Sequence, residues 1–222
     1  MLLTDGDRFH GGLFTKYHLH FGMRVCILSL ISDSGGAILQ KRSHKLLARS
    51  LMNSYDGFGK KSFEAAFLFG SFQLDCNPLS YLKGTFRARR FRGHNYSNSR
   101  PYIDTHIHRL QQRDHWTVWQ YYTLGKLTHY LADAFTFPHN ETYPDSIAAH
   151  RRYEDALRLS FSRFMAAETL RRETARADLA GALEQLHRQY VSQTSDSGRD
   201  SRFILLANEL LMASVLPLPA GA

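Results

Sequence analysis

Apolar positions in this chain recur at three- and four-residue intervals, the period of an α-helix, and no strand-length alternating run competes with them. Leu46, Leu47, Leu51 and Met52 lie along one side of a segment that Ser43 can cap and that reaches Tyr55. The turn GFGKKS follows, and Phe63, Ala66, Phe67 and Phe69 then mark a second apolar helix that ends near Asp75, ahead of the breaker Asn77–Pro78. A basic helix is expected over 79–93, and SNSRP opens another over 102–113. Residues 116–137 are apolar on most faces, so this helix should be the central, buried one, with Asp114–His115 as its cap. Pro144–Asp145 starts a helix running through Phe161 and Phe164; 175–190 is amphipathic, SQTSDSGRDS reads as a linker, and 202–216 is a final apolar helix. The expected architecture is all-α, a single multi-helix bundle.

The chemistry concentrates where the central helix ends. In GKLTHYLADAFTFPHNETYPDSIAAHRRYE, His129 and Asp133 stand four apart and project from one helix face, and His150 and Glu154 repeat that spacing on the next helix. Pro138 ends the first helix and leaves His139 at the bend. One His-x3-carboxylate pair is ordinarily a solvated surface pair; two, with a further imidazole at their junction, suit more than one divalent cation. Zinc matches an imidazole–carboxylate set best. A buried His129 and Asp133 would also need partners to offset desolvation, and a cation provides them.

The segment resembles the zinc-dependent bacterial phospholipases C, whose pattern is His-x3-Asp-x5-His, a spacer, then His-x3-Glu. Here these are His129, Asp133, His139, His150 and Glu154. Upstream, RSHKLLARSL resembles the family's first helix and maps a ligand to His44, FLFGSFQLDCNP maps one to Asp75, and RGHNYSNS maps one to His94. The resemblance runs from about residue 41 to 163, and more weakly to 216. It implies a helical bundle of phospholipase C/nuclease type holding two or three zinc ions between helices. Asp75, His94 and His129 would hold one ion; Asp133 would bridge to a second that also uses His44; His139, His150 and Glu154 would hold a third. Asp75 and Asp133 would carry the catalytic carboxylates, and zinc-bound hydroxide would attack the phosphorus of a phospholipid-type phosphodiester. Two alternatives keep the same architecture: a zinc nuclease, and a zinc-stabilised binding module without turnover. The nuclease type usually carries His-Gln-Pro-x-His at the third ligand, whereas this chain has Phe137–Pro138–His139.

Composition narrows the rest. The 222 residues, 43% apolar and 13% aromatic, suit one domain with a sizeable core, and no apolar run approaches a bilayer span. Cys26 and Cys76 are the two cysteines, so no disulfide framework is expected. A formal charge of +8 favours an anionic partner: phosphorylated substrate, membrane surface or nucleic acid. Its sharpest cluster is Lys83, Arg87, Arg89, Arg90 and Arg92, leading into His94, which allows peripheral contact with an anionic membrane; no stable protein partner is implied. His106 and His108 in DTHIHR point to different helix faces and read as surface residues. Residues 1–40 read as a poorly structured extension ahead of a domain over 41–222. Secreted members of the family begin at a metal-binding Trp, but no Trp precedes His44, and the short apolar run 23–37 makes a cytoplasmic location the expectation over a secreted one.

Overall fold

The computed structural model describes residues 35–76, 96–140, 143, 147–194 and 196–216. Seven α-helices appear among them: α1 (Gly35–Ser54), α2 (Lys61–Gln73), α3 (Tyr96–Gln111), α4 (Val118–Ala134), α5 (Ile147–Ala167), α6 (Leu179–Ser192) and α7 (Ser197–Val215). Short 3-10 turns at Leu74–Cys76 and Phe137–His139 close α2 and follow α4. No strand occurs among the described residues, so the expected all-α bundle is the observed architecture.

Helix α4 is the buried axis. Tyr121, Leu124, Leu127, Leu131 and Ala134 are withdrawn from solvent on several of its faces, and α1, α2, α3 and α7 all pack against it. Two glycines set its closest approach. A Cβ on Gly70 of α2 would lie 2.2 Å from the Tyr122 carbonyl oxygen, and one on Gly125 of α4 would lie 2.1 Å from the Phe67 carbonyl oxygen. The two backbones meet where only hydrogen fits. Around this crossing Leu47, Leu51, Phe67 and Phe135 fill the core. The expected turn between α1 and α2 is present: Gly57 takes φ 119°, and its carbonyl accepts the Tyr121 hydroxyl at 2.5 Å.

Several boundaries differ from the sequence expectation. Helix α1 begins at Gly35, so Ser43 lies inside it rather than capping it; Ala37, Leu39 and Gln40 are good helix formers that carry the coil back. Helix α4 is capped by Thr117, not by Asp114–His115. The Thr117 side chain accepts from the Trp119 N–H, and Gln120 reaches back to the Thr117 N–H, a reciprocal box that satisfies two open donors. SQTSDSGRDS is only partly a linker: Asp196 caps α7 through the Arg199 N–H, and Arg199 and Asp200 are deeply buried in its first turn. The basic cluster from Lys83 to Arg92 and the segment 1–34 lie outside the described residues.

One buried acid makes the bundle's stability depend on pH. Glu209 of α7 is 5% exposed, and its Oε1 accepts the Arg171 N–H at 2.7 Å. Burial raises its carboxyl to about 7, against the pull of that N–H and with help from Glu173 and Glu168. An acid whose folded value is raised contributes stability fully below its unfolded value and loses that contribution as pH climbs through the folded one. Glu209→Gln keeps an acceptor for Arg171 and removes the ionisation. Its stability should match the parent at pH 4, below the ordinary carboxyl value, and exceed it at pH 8, by on the order of 1 kcal/mol after allowing for solvent screening. Equal stability at both pH values would remove Glu209 as the source.

Candidate metal centre

The first group of ligand-type side chains is built on three elements. His44 comes from α1, Asp75 from the 3-10 turn ending α2, and His129 and Asp133 from successive turns of α4. The Gly70–Gly125 crossing brings the Ser71 carbonyl to His129, which donates from Nδ1 at 2.9 Å. A carbonyl only accepts, so Nδ1 carries a hydrogen and Nε2 is the ring nitrogen turned toward the carboxylates, the one available to a metal. The His44 ring stacks on His129 at 4.0 Å, so the two imidazoles point the same way.

Each imidazole faces both carboxylates through different oxygens. His44 Nε2 lies 3.8 Å from Asp75 Oδ2 and 3.4 Å from Asp133 Oδ1; His129 Nε2 lies 3.6 Å from Asp75 Oδ1 and 3.3 Å from Asp133 Oδ2. An ordinary N–H···O bond spans ~2.7–3.2 Å. Two donors, each ~2.0–2.1 Å from a tetrahedral zinc, stand ~3.3–3.4 Å apart. The donor set therefore fits a shared cation better than direct hydrogen bonding. Burial alone would raise the Asp133 carboxyl, but His129, His139 and His44 overcome that and hold it well below the usual carboxylate range. It stays ionised, as a metal-binding carboxylate must.

The second group is His139, His150 and Glu154. His150 and Glu154 are one turn apart on α5, with Nε2 and Oε1 at 2.5 Å, and His139 Nε2 lies 3.5 Å from the same Oε1. Burial would lower the His139 imidazolium, yet Asp133 and Glu154 raise it to about 9. Burial likewise opposes ionisation of Glu154, and its bonds to His139 and His150 bring its carboxyl down.

A clamp that was not legible in the sequence holds this second group. Asp200, fully buried on α7, accepts the Phe137 N–H at 3.0 Å and the Tyr153 hydroxyl at 2.7 Å on one oxygen. Its other oxygen takes the Tyr190 hydroxyl at 2.8 Å and Arg199 Nη2 at 2.9 Å. Phe137 belongs to the turn that carries His139, and Tyr153 adjoins Glu154, so one carboxylate ties the two ligand-bearing elements together. Asn140 secures the same turn from the other side: its Nδ2 donates to the Ala134 and Thr136 carbonyls, which leaves Oδ1 to accept from His187 Nε2 at 2.8 Å. An Asp in a Ser/Gly-rich stretch carries no sequence mark of such a role.

Both groups open onto one cleft. His44 and Asp133 line it from one side, His139 and Glu154 from the other, with Ser43, Thr136 and Arg158 as further polar walls and Leu47, Leu157, Phe161 and Ile204 as the apolar part. Seven of the eight expected ligands thus fall in these two groups, four of them, His44, Asp133, His139 and Glu154, lining the cleft, while His94 lies outside the described residues. His106 and His108 join neither group: His108 is exposed, as expected, whereas His106 is half-buried, stacked on Tyr102 at 3.8 Å and bonded to the Tyr102 carbonyl, so the surface expectation fails for it. No helix among the described residues is long and apolar enough to cross a membrane.

Comparison with curated proteins and with solved structures gave no match. A family model described as zinc dependent phospholipase C matches residues 43–197, a span that takes in both ligand groups and most of the bundle that positions them. A donor set of zinc-like spacing, an all-helical frame and that match agree, and the chain belongs to the zinc-dependent phospholipase C family.

Proposed function

We propose that this protein is a zinc-dependent phosphodiester hydrolase acting on a phospholipid-type substrate in the cleft between the two ligand groups. His44, Asp75, His129 and Asp133, joined by His94, would hold zinc at one end, with Asp133 the candidate to serve two ions; His139, His150 and Glu154 would hold zinc at the other. The observation that carries this reading is that residues of both groups line one cleft rather than two separate surfaces. Bound there, zinc supplies Lewis acidity and a water acidic enough to ionise near neutral pH. Asp75, buried beside both imidazoles, would take the proton of the attacking water, and Asp133 approaches the two imidazoles through separate oxygens. The three carboxylates Asp75, Asp133 and Glu154 carry less charge than two dications, so the loaded cleft is net positive and attracts a phosphodiester. Its apolar wall suits the lipid side of the scissile bond. The formal charge of +8 supports peripheral contact with an anionic membrane surface, for which Lys83, Arg87, Arg89, Arg90 and Arg92 remain the candidates.

Elemental analysis of the purified protein, followed by turnover of a chromogenic phosphocholine ester beside single-stranded DNA, tests the reading. Bound zinc with ester hydrolysis supports it. DNA cleavage without ester hydrolysis would replace it with a nuclease, and bound zinc with neither activity would leave a zinc-stabilised binding module.

A further inference from the structure

Arg158 stands one turn beyond Glu154 on α5, on the face that also presents Leu157 and Phe161 to the cleft. Its side chain lines the cleft together with Asp133, His139 and Glu154. The guanidinium is not consumed in an ion pair: among the described residues no carboxylate lies within 4.0 Å of it, and its buried Nε has no hydrogen-bond partner. Arg199, the deeply buried arginine of α7, by contrast spends its guanidinium on Asp200 and on the Gln193 carbonyl. A buried donor without an acceptor is costly, and a cation left unpaired beside a dication site gains only when an anion arrives.

We propose that Arg158 is a substrate-contacting residue that binds a non-bridging oxygen of the scissile phosphoryl group. This rests on the reading of the cleft as a phosphodiester site. A guanidinium presents N–H donors in a planar fork that matches two phosphoryl oxygens, and it keeps its charge at every working pH. With Asp75, Asp133 and Glu154 engaged with zinc, it is the one Arg or Lys among the described cleft-lining residues, and so the cation that meets negative charge building on phosphorus. Phe161 is the one Phe, Tyr or Trp among the described cleft-lining residues, so the same wall offers no aromatic cage for a quaternary ammonium. The phosphoryl group, not a cationic headgroup, is what faces α5.

The test compares zinc-loaded wild type, Arg158→Met and Arg158→Lys, using inorganic phosphate as the probe. Calorimetric titration reads phosphate affinity, elemental analysis reads zinc, and hydrolysis of the chromogenic ester reads kcat/KM. Arg158→Met should keep the wild-type zinc content and melting temperature, bind phosphate at least about tenfold more weakly, and lose about 100-fold in kcat/KM, the effect of removing one transition-state donor. Arg158→Lys, which keeps the charge and loses the fork, should fall between the two. Phosphate affinity and kcat/KM in Arg158→Met equal to wild type would overturn the assignment, as would loss of zinc or folding in that variant, which would make Arg158 a structural residue. A wild type that hydrolyses neither the ester nor single-stranded DNA, yet binds zinc and phosphate with the affinity lost in Arg158→Met, would overturn the hydrolase reading and leave Arg158 as a phosphate contact.

Discussion

Asp133→Asn should release at least one zinc per chain and reduce hydrolysis by at least about 1,000-fold, to background. The residue is 5% exposed and offers one oxygen to each of two stacked imidazoles, at 3.4 Å to His44 and 3.3 Å to His129. Asparagine keeps the shape but lacks the charge that two neighbouring dications require, and its amide nitrogen turns a donor toward one of the two metal positions. Because His129 and His139 hold the native carboxyl well below its ordinary range, after overcoming burial, acidification within the working range does not mimic the substitution. The loss should therefore persist across pH and be independent of buffer. Elemental analysis of wild type and variant purified side by side reads the first effect, and the chromogenic ester reads the other. Unchanged zinc stoichiometry in Asp133→Asn would end the bridging role and assign Asp133 to a single ion or to none.

What is readable in the chain divides along the range of the physics involved. The burial of the central helix from Tyr121 onward follows from local periodicity, although its first turn, with Val118 36% exposed, does not share it; the projection of His129 with Asp133 and of His150 with Glu154 from single helix faces follows too, and Leu124, His129 and Leu131 are at most 1% exposed. The convergence of His44 and Asp75 on that pair is tertiary and comes only through the family resemblance, because nothing local links α1, the end of α2 and α4. Asp200 and Arg158 escape a reading of the sequence for the same reason. Asp200 is one polar letter in a linker until α7 folds against Phe137 and Tyr153. Arg158 is indistinguishable from any arginine on an amphipathic helix until the fold sets it beside Asp133 and His139. Helix ends differ from expectation where two capping candidates compete within a few residues: Thr117 prevails over Asp114–His115 because Gln120 completes its box.

Gly125→Ala should cost about 3 kcal/mol, the upper end of ordinary overpacking, even though alanine is the better helix former. The added carbon would sit 2.1 Å from the Phe67 carbonyl oxygen, 2.9 Å from the Ser71 nitrogen and 3.0 Å from the Gly70 Cα. All three are backbone atoms of α2, so no side chain can swing aside, and α2 and α4 must separate. That displacement reaches the metal centre directly, because the Ser71 carbonyl on α2 holds His129 Nδ1 and the end of α2 delivers Asp75 to His129 Nε2 at 3.6 Å. Zinc affinity should fall along with stability, although no ligand has changed. Gly59→Ala is the control, since a Cβ there meets nothing within 4 Å and leaves packing untouched. Denaturant unfolding in chelator separates the packing cost from the metal contribution, and competition with a chromogenic chelator reads the affinity. If Gly125→Ala unfolds at the same denaturant concentration as Gly59→Ala, the close crossing does not govern the fold; if it is destabilised yet holds zinc as tightly as wild type, the crossing does not govern the site.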